Sequence, residues 1–260
     1  MRISVVITNY NYRAYLFECI ASVRAQTRAP AQLIVVDDGS TDGSDLLLRD
    51  VPGATVLLKE NGGQTSAMNA AFGLITGDFV VFLDADDRLH PSALERIAAV
   101  ADTSISKIHW SARVINAAGD PLGVRRPTSA RPRGDLREEV RAEGATYTVS
   151  PTSANAWNRS FLLKMFPLEE LETSQRLGSA HADTLLSDAS HLFGRIEAID
   201  EPLTDYRVHG ENDYAALDAR MKAQRDLWLA DVRFQRLEGL FAALGDSVDV
   251  RGWRERSWPH

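Results

Sequence analysis

Short runs of β-branched and other apolar residues alternate with helix-spaced apolar positions through the first hundred residues. Residues 3–8 read as a buried strand, and Leu16, Ile20 and Val23 then recur at helical spacing to about residue 26. Residues 33–36 predict a second strand, 44–49 a helix, 54–58 a third strand and 65–75 another helix. Phe79-Val80-Val81-Phe82-Leu83, entered from Gly77-Asp78, predicts a fourth strand buried on both faces. His90-Pro91 then predicts the start of a helix that runs to residue 101, since proline suits a first turn. This βαβαβαβ alternation with short connections predicts an α/β chain, a doubly wound, mostly parallel sheet flanked by helices.

The second half is less regular. Residues 107–115 predict a strand, 116–121 a turn, 147–149 a strand, 151–159 a polar loop and 160–165 a helix. A further helix, led by Ala182-Asp183, carries Leu185, Leu186, Ala189 and Leu192. Short strands are expected at 196–199 and 203–208, on either side of Glu201-Pro202. Met221, Trp228, Leu229, Val232, Leu237 and Leu240 mark a long amphipathic helix over 215–244. Arg125, Arg126, Arg131, Arg133, Arg137 and Arg141 fall in a segment that reads either as a solvated loop or as a flap meeting an anionic acceptor or donor phosphates. The tail 251–258 alternates cations with aromatics, which fits disorder, contact with an anionic membrane surface, or packing in a homo-oligomer.

Composition narrows the class. The 260 residues can bury a sizeable core, and 44% apolar with 25% charged residues is ordinary for a globular protein. A formal net charge of −7 argues against general nucleic-acid binding, which draws on neutralised phosphates. Cys19 is the single cysteine, so no intrachain disulfide can form and a reducing, cytoplasmic setting is expected. No apolar run approaches the roughly 20 residues of a membrane span. Met1-Arg2 leads straight into a five-residue apolar run, too short for a signal peptide's core.

Every predicted strand of the first half exits into polar residues: Thr8 to Asn11, Asp37 to Ser40, Asn61 to Gly63, and Asp84 to Asp87. Ligands bind outside the carboxyl ends of the strands in open parallel sheets. Asp84 and Asp86 project from one face if the extended geometry persists, and paired carboxylates repel unless a cation lies between them. The cluster therefore predicts a divalent metal site that also holds a phosphorylated ligand. The alternative has Asp87 capping the next helix and its neighbours solvated. No G-x-G-x-x-G follows the first strand and no G-x-x-x-x-G-K-S/T occurs, which weighs against nicotinamide and P-loop chemistry.

Val6-Ile7-Thr8-Asn9-Tyr10-Asn11, Ile34-Val35-Val36-Asp37-Asp38-Gly39-Ser40-Thr41-Asp42, Asn61-Gly62-Gly63 and Phe82-Leu83-Asp84-Ala85-Asp86-Asp87 stand in an order that resembles the family 2 glycosyltransferases. Ala182-Asp183 and residues 206–212 extend the match. The resemblance implies a GT-A-type, Rossmann-like fold: a nucleotide-sugar-binding half at 1–105, an acceptor and catalytic-base half at 106–214, and a C-terminal helix and tail at 215–260. It implies a nucleobase pocket at Thr8, Tyr10 and Asp38, with Asn61 and Gly63 also on the nucleotide, and a ribose contact at Asp84. Asp86 would ligate Mn²⁺ or Mg²⁺, His209 would support the metal or diphosphate, and Arg207 would pair with phosphate or brace its loop. Trp157 lies in a segment expected to face the acceptor. Asp183 would be the base, with Asp188 the second choice.

Two departures from the family pattern stand out. Ala182 occupies the place of a common glutamate, and Met68 that of a common arginine. The activity implied is metal-dependent, inverting transfer of a sugar from a nucleoside diphosphate, UDP first, to the hydroxyl of a glycan, glycolipid or other acceptor. A non-catalytic sugar-nucleotide-binding module and a sugar-1-phosphate nucleotidyltransferase are the alternatives. The second should open with a basic, glycine-rich loop, which Asn9 to Arg13 is not.

Overall fold

The computed structural model of the chain describes residues 1–129, 131–144, 150–169, 182–210 and 218–257. The strand expected at 147–149, the first residues of the long helix, and 211–212 of the last motif lie outside them. β1 (Ile3–Asn9), α1 (Arg13–Arg24), β2 (Gln32–Asp37), α2 (Ser44–Leu48), β3 (Ala54–Leu58), α3 (Gly63–Phe72) and β4 (Phe79–Asp84) follow the predicted alternation. The four strands lie in the order β3-β2-β1-β4, all parallel. Their continuous apolar runs fill both faces. Val5, Ile7, Val35, Val81 and Leu83 pack with Leu16, Cys19, Ile20 and Val23 of α1. Val6, Ile34, Val36, Val80 and Phe82 pack with Ala67, Met68 and Ala71 of α3.

Beyond β4 come β5 (Arg88–Leu89), α4 (Ala93–Val100), β6 (Ile105–Ile115), β7 (Pro121–Arg126), α5 (Arg137–Glu143), β8 (Asn155–Asn158) and α6 (Arg159–Met165). The chain continues through α7 (Ala182–Ser190), β9 (Arg195–Arg207), α8 (Ala219–Ala243) and α9 (Val250–Ser257). The strands form one nine-stranded sheet, β3-β2-β1-β4-β8-β6-β9-β5, with β7 added on β6. β8 runs antiparallel to both β4 and β6, while β6 and β9 are parallel.

Several expectations are corrected. The segment 151–159 is no polar loop: it forms a 3₁₀ turn (Thr152–Ala154) and then buried β8. Its asparagines bond to the backbone rather than to solvent, Asn155 Nδ2 to the Pro151 carbonyl and Asn158 Nδ2 to the Ile105 carbonyl, each at 2.8 Å. β9 passes through Glu201-Pro202 without stopping, because β6 offers one residue, Ser111, opposite the four between Ile199 and Thr204. Such a bulge removes the ladder position that proline could not fill. α4 starts two residues after Pro91, because Arg88 and Leu89 are drawn into pairing with Asp205 and Thr204.

The tail, up to residue 257, is a helix packed within its own chain. Trp253 of α9 is fully buried against Phe234 and Phe241 of α8, with Val140 of α5 in the same cluster. Among the described residues no helix is long and apolar enough to cross a membrane.

Candidate active site

The parallel register sets Thr8 beside Asp84 and Asn9 beside Asp37, so the polar strand exits meet along one edge. Asn9 Nδ2 donates to Asp37 Oδ2 at 2.7 Å and to Ser40 Oγ at 3.1 Å. Asp38 is bound by the β3–α3 connection: its carboxylate accepts from Lys59 Nζ, from Asn61 Nδ2 at 3.2 Å, and from the Gly62 and Gly63 amides at 3.1 and 2.7 Å. Asp38, Asn61 and Gly63 are thus brought together, with Asp38 fastening the loop. Gly39 makes that approach possible. Its φ is +77°, and a Cβ there would lie 2.6 Å from the Asn61 amide nitrogen. Tyr10 leaves its ring 47% exposed at the rim.

The acidic tip is held tightly. Asp84 accepts from Gln64 Nε2 at 2.7 Å, and its amide donates to Ser153 Oγ at 3.0 Å. Burial, then the charges of Asp86 and Asp183, push the Asp84 carboxyl well up, against the bonds from Gln64 and Thr152. Asp86 Oδ2 lies 3.0 Å from His209 Nε2, and the imidazole is stacked on Tyr15 and edge-on to Tyr12. Asp87 does not cap the next helix. One oxygen accepts from the Arg207 amide at 2.8 Å, and the other is buried without a hydrogen-bond partner. Burial, with the charges of Asp86 and Asp84, raises its carboxyl too.

Among the described residues no three His, Cys, Asp or Glu side chains form a ready metal-holding group. The arrangement nonetheless fits a divalent ion. Buried Asp86 and Asp87 and half-buried Asp84 repel one another, one buried oxygen is unpaired, and a carboxylate and an imidazole converge at one point. Hard oxygen donors of this kind suit Mn²⁺ or Mg²⁺, with phosphate and water completing the shell.

Arg207 takes one of the two roles expected for it, and Trp157 is corrected. The Arg207 side chain is 2% exposed and its groups are spent on the fold. It donates to the Asp86 carbonyl at 2.8 Å, the Ala117 carbonyl at 3.0 Å and Glu18 Oε2 at 2.5 Å, and it lies over the Tyr15 ring. Arg207 braces the loop rather than reaching a phosphate. Trp157 is buried in the second core cluster with Phe161, so it offers no face to an acceptor. Of the arginine-rich segment, Arg131 and Arg133 pair with Asp200, and Arg141 with Glu138 and Asp246.

Asp183 lies in the first turn of α7, buried beside the tip. Its Oδ1 accepts from the Thr184 amide at 2.6 Å, and its Oδ2 from Thr152 Oγ1 at 3.3 Å. Thr152 also lies close enough to Asp84 to help hold its carboxyl down. Asp188 belongs elsewhere: Arg233 of α8 donates to it at 2.9 Å. Met68, in place of arginine, is fully buried in the second cluster and leaves no cation at that point of α3. Gln64, Thr152 and Ser153 escape sequence reasoning. Their partners, Asp84 for Gln64 and Ser153 and Asp183 for Thr152, lie 20 to 69 residues away, and only the insertion of β8 beside β4 brings the turn in.

The chain matches the model for glycosyl transferase family 2 over residues 4–164. An uncharacterised glycosyltransferase of Nostoc sp. strain PCC 7120 is 34% identical over 220 residues, covering 82% of this chain and 67% of that protein. Among solved structures, residues 1–349 of S. aureus TarS in complex with UDP-GlcNAc superpose with a TM-score of 0.62 at 20% identity, covering 90% of this chain and 66% of that one. A mannosyltransferase from Pyrobaculum calidifontis in complex with GDP-Man and Mn²⁺ gives a TM-score of 0.59 at 19% identity, covering 90% and 64%. The chain spans between 49% and 67% of the length of the first curated relatives it matches. The sheet order and these superpositions make the fold GT-A type. With its strand-exit motifs inside the matched region, the chain belongs to glycosyl transferase family 2.

Proposed function

We propose that the chain transfers a glycosyl group from a nucleoside diphosphate sugar, a UDP-sugar first, to an acceptor hydroxyl with inversion at the anomeric carbon. The observation that carries this reading is the convergence of Asp84, the Asp86–His209 pair and Asp183 over the end of β4. Tyr10 offers a ring for the base to stack on, beside Thr8 and the loop that Asp38 secures. Asp84, next to Thr8 in register, takes the ribose. Asp183 accepts the acceptor's proton as general base, a role that typically contributes roughly 10²–10⁴-fold. Its carboxylate is aimed by Thr152 and the Thr184 amide. A divalent cation held by Asp86 and His209 would supply positive charge to the departing diphosphate. The TarS complex with UDP-GlcNAc and the mannosyltransferase complex with GDP-Man and Mn²⁺ support a nucleotide-sugar donor and a metal. A hydroxyl of a bacterial surface glycan or glycolipid is the acceptor class proposed.

A thermal-shift panel of UDP- and GDP-sugars, with and without Mn²⁺, tests the donor. A ligand at 100 times its Kd should raise Tm by about 5–10 °C, with most of the shift dependent on the metal. No shift with any nucleotide sugar would end this reading. Slow donor hydrolysis without acceptor would separate an enzyme from a binding module.

A further inference from the structure

We propose that Lys107 is a positioning residue for Asp183, its buried ammonium bonded to Ser187 one turn along α7 and supplying the positive charge that holds the base in place. This rests on the reading of Asp183 as the base. Lys107 of β6 stands opposite Trp157 of β8 in register, and its ammonium lies 5.1 Å from the indole centroid. The residue is 3% exposed, in a layer where an unpaired cation is costly. Nζ donates to Ser187 Oγ at 2.8 Å. Ser187 follows Asp183 by four residues on one helix, so the two share a face one turn apart. A cation tied to Ser187 therefore lies one helical turn along from Asp183, near enough for the two charges to act on each other.

The surrounding charges agree. Burial pulls the Lys107 ammonium down to about 8, and the charges of Asp183 and Asp188 act to keep it protonated. Asp84 faces Asp183 from β4, the neutral Thr152 hydroxyl faces it from the 3₁₀ turn, and Asp188 lies on its own helix. Asp188 is engaged by Arg233, with Arg236 of α8 also acting on it. His109 and His191 feel the Lys107 charge but are driven down to about 3, chiefly by burial, and stay neutral.

Lys107→Met keeps the length and apolar packing but removes the charge. The acidic limb of the kcat profile should move up by roughly one pH unit, with donor KM unchanged. Lys107→Arg should return it. The carbon-13 carboxyl signal of Asp183, followed without metal, should titrate at correspondingly higher pH in Lys107→Met. A folded Lys107→Met protein with an unmoved limb and an unmoved signal overturns the proposal. If that variant does not fold, Ser187→Ala is read instead: releasing the ammonium from the helix must move the limb, and an unmoved limb overturns the proposal. Should Asp183→Asn retain full turnover, the base assignment falls, and the carboxyl titration alone then decides whether Lys107 governs the charge of Asp183.

Discussion

His209 Nε2 lies 3.0 Å from Asp86 Oδ2, with the two side chains 5% and 7% exposed, although 123 residues separate them in sequence. The strand end that carries three aspartates thus meets an imidazole arriving from beyond β9. Asp86→Asn should abolish the Mn²⁺-dependent part of the donor thermal shift and lower turnover by roughly 10²-fold or more. His209→Ala should weaken metal affinity by roughly 10–100-fold while leaving metal-free nucleotide binding intact. Isothermal titration with Mn²⁺ in the presence of UDP reads both, and unaltered affinity in both variants would remove the pair from the metal site.

Asp183→Asn should cut transfer by roughly 10²–10⁴-fold and leave the donor thermal shift within error of the parent. Single-turnover kinetics with a competent acceptor check this. Wild-type turnover in the variant would transfer the role of base to another group.

Thr152 Oγ1 donates to Asp183 Oδ2 at 3.3 Å, and the same side chain acts on Asp84. Thr152→Val keeps its shape and deletes the bond. We expect kcat to fall about tenfold, the equivalent of a hydrogen bond to a charged group, with KM for the donor little changed. Thr152→Ser should recover most of the loss. A change confined to KM would place Thr152 in donor binding instead.

Asp205 is buried between two arginines and a histidine: Arg88 Nε at 2.6 Å, Arg113 Nε at 2.7 Å and His90 Nε2 at 2.8 Å. Burial alone would raise its carboxyl, but the bonds from His90, Arg113 and Arg88 outweigh it and hold the group well below the ordinary carboxylate range. The folded value therefore lies below the unfolded one, near 3.9. Its contribution is complete above about pH 4 and is lost as pH falls through the folded value. Asp205→Asn should cost about 3 kcal/mol at neutral pH and flatten the stability profile below pH 4. Denaturant melts across pH 2–7 would show it, and equal pH slopes in both proteins would refute it.

Trp253→Ala removes an indole packed 5.7 Å from Phe234 and 6.4 Å from Phe241, centroid to centroid. The loss should be about 3–5 kcal/mol, read as a lower Tm or a separate early transition. A variant with parental Tm would mean that α9 adds nothing to the fold.

The first half of the fold was legible because its information is local. A strand buried on both faces announces itself as an unbroken apolar run, and the polar exits of β1, β2 and β4 follow directly. β8 and β5 were not legible, since each takes its conformation from strands far away in sequence: Trp157 pairs with Lys107 and Val80, and Arg88 with Asp205. The same distinction separates Arg207 from His209. Both are basic, two positions apart at one strand end, yet Glu18 on α1 claims the arginine, while Asp86 and the rings of Tyr12 and Tyr15 receive the histidine. Trp157 misled because it sits in a polar stretch expected to face the acceptor, whereas antiparallel pairing turned it into the core. Thr152 and Lys107 carried no signal, being ordinary residues whose meaning depends on which acid they meet.

β8 is hydrogen-bonded on both flanks, to β4 and to β6. That single short antiparallel strand welds the parallel strands of the first half to β6 and β9 in one continuous ladder, leaving no seam along which the two parts of the sheet could swing apart as rigid lobes. Room for an incoming substrate must come from the connections above the sheet. A point change that unzips β8 would then act at a distance on both substrates at once, because the turn leading into this strand carries Thr152 and Ser153 to the acids.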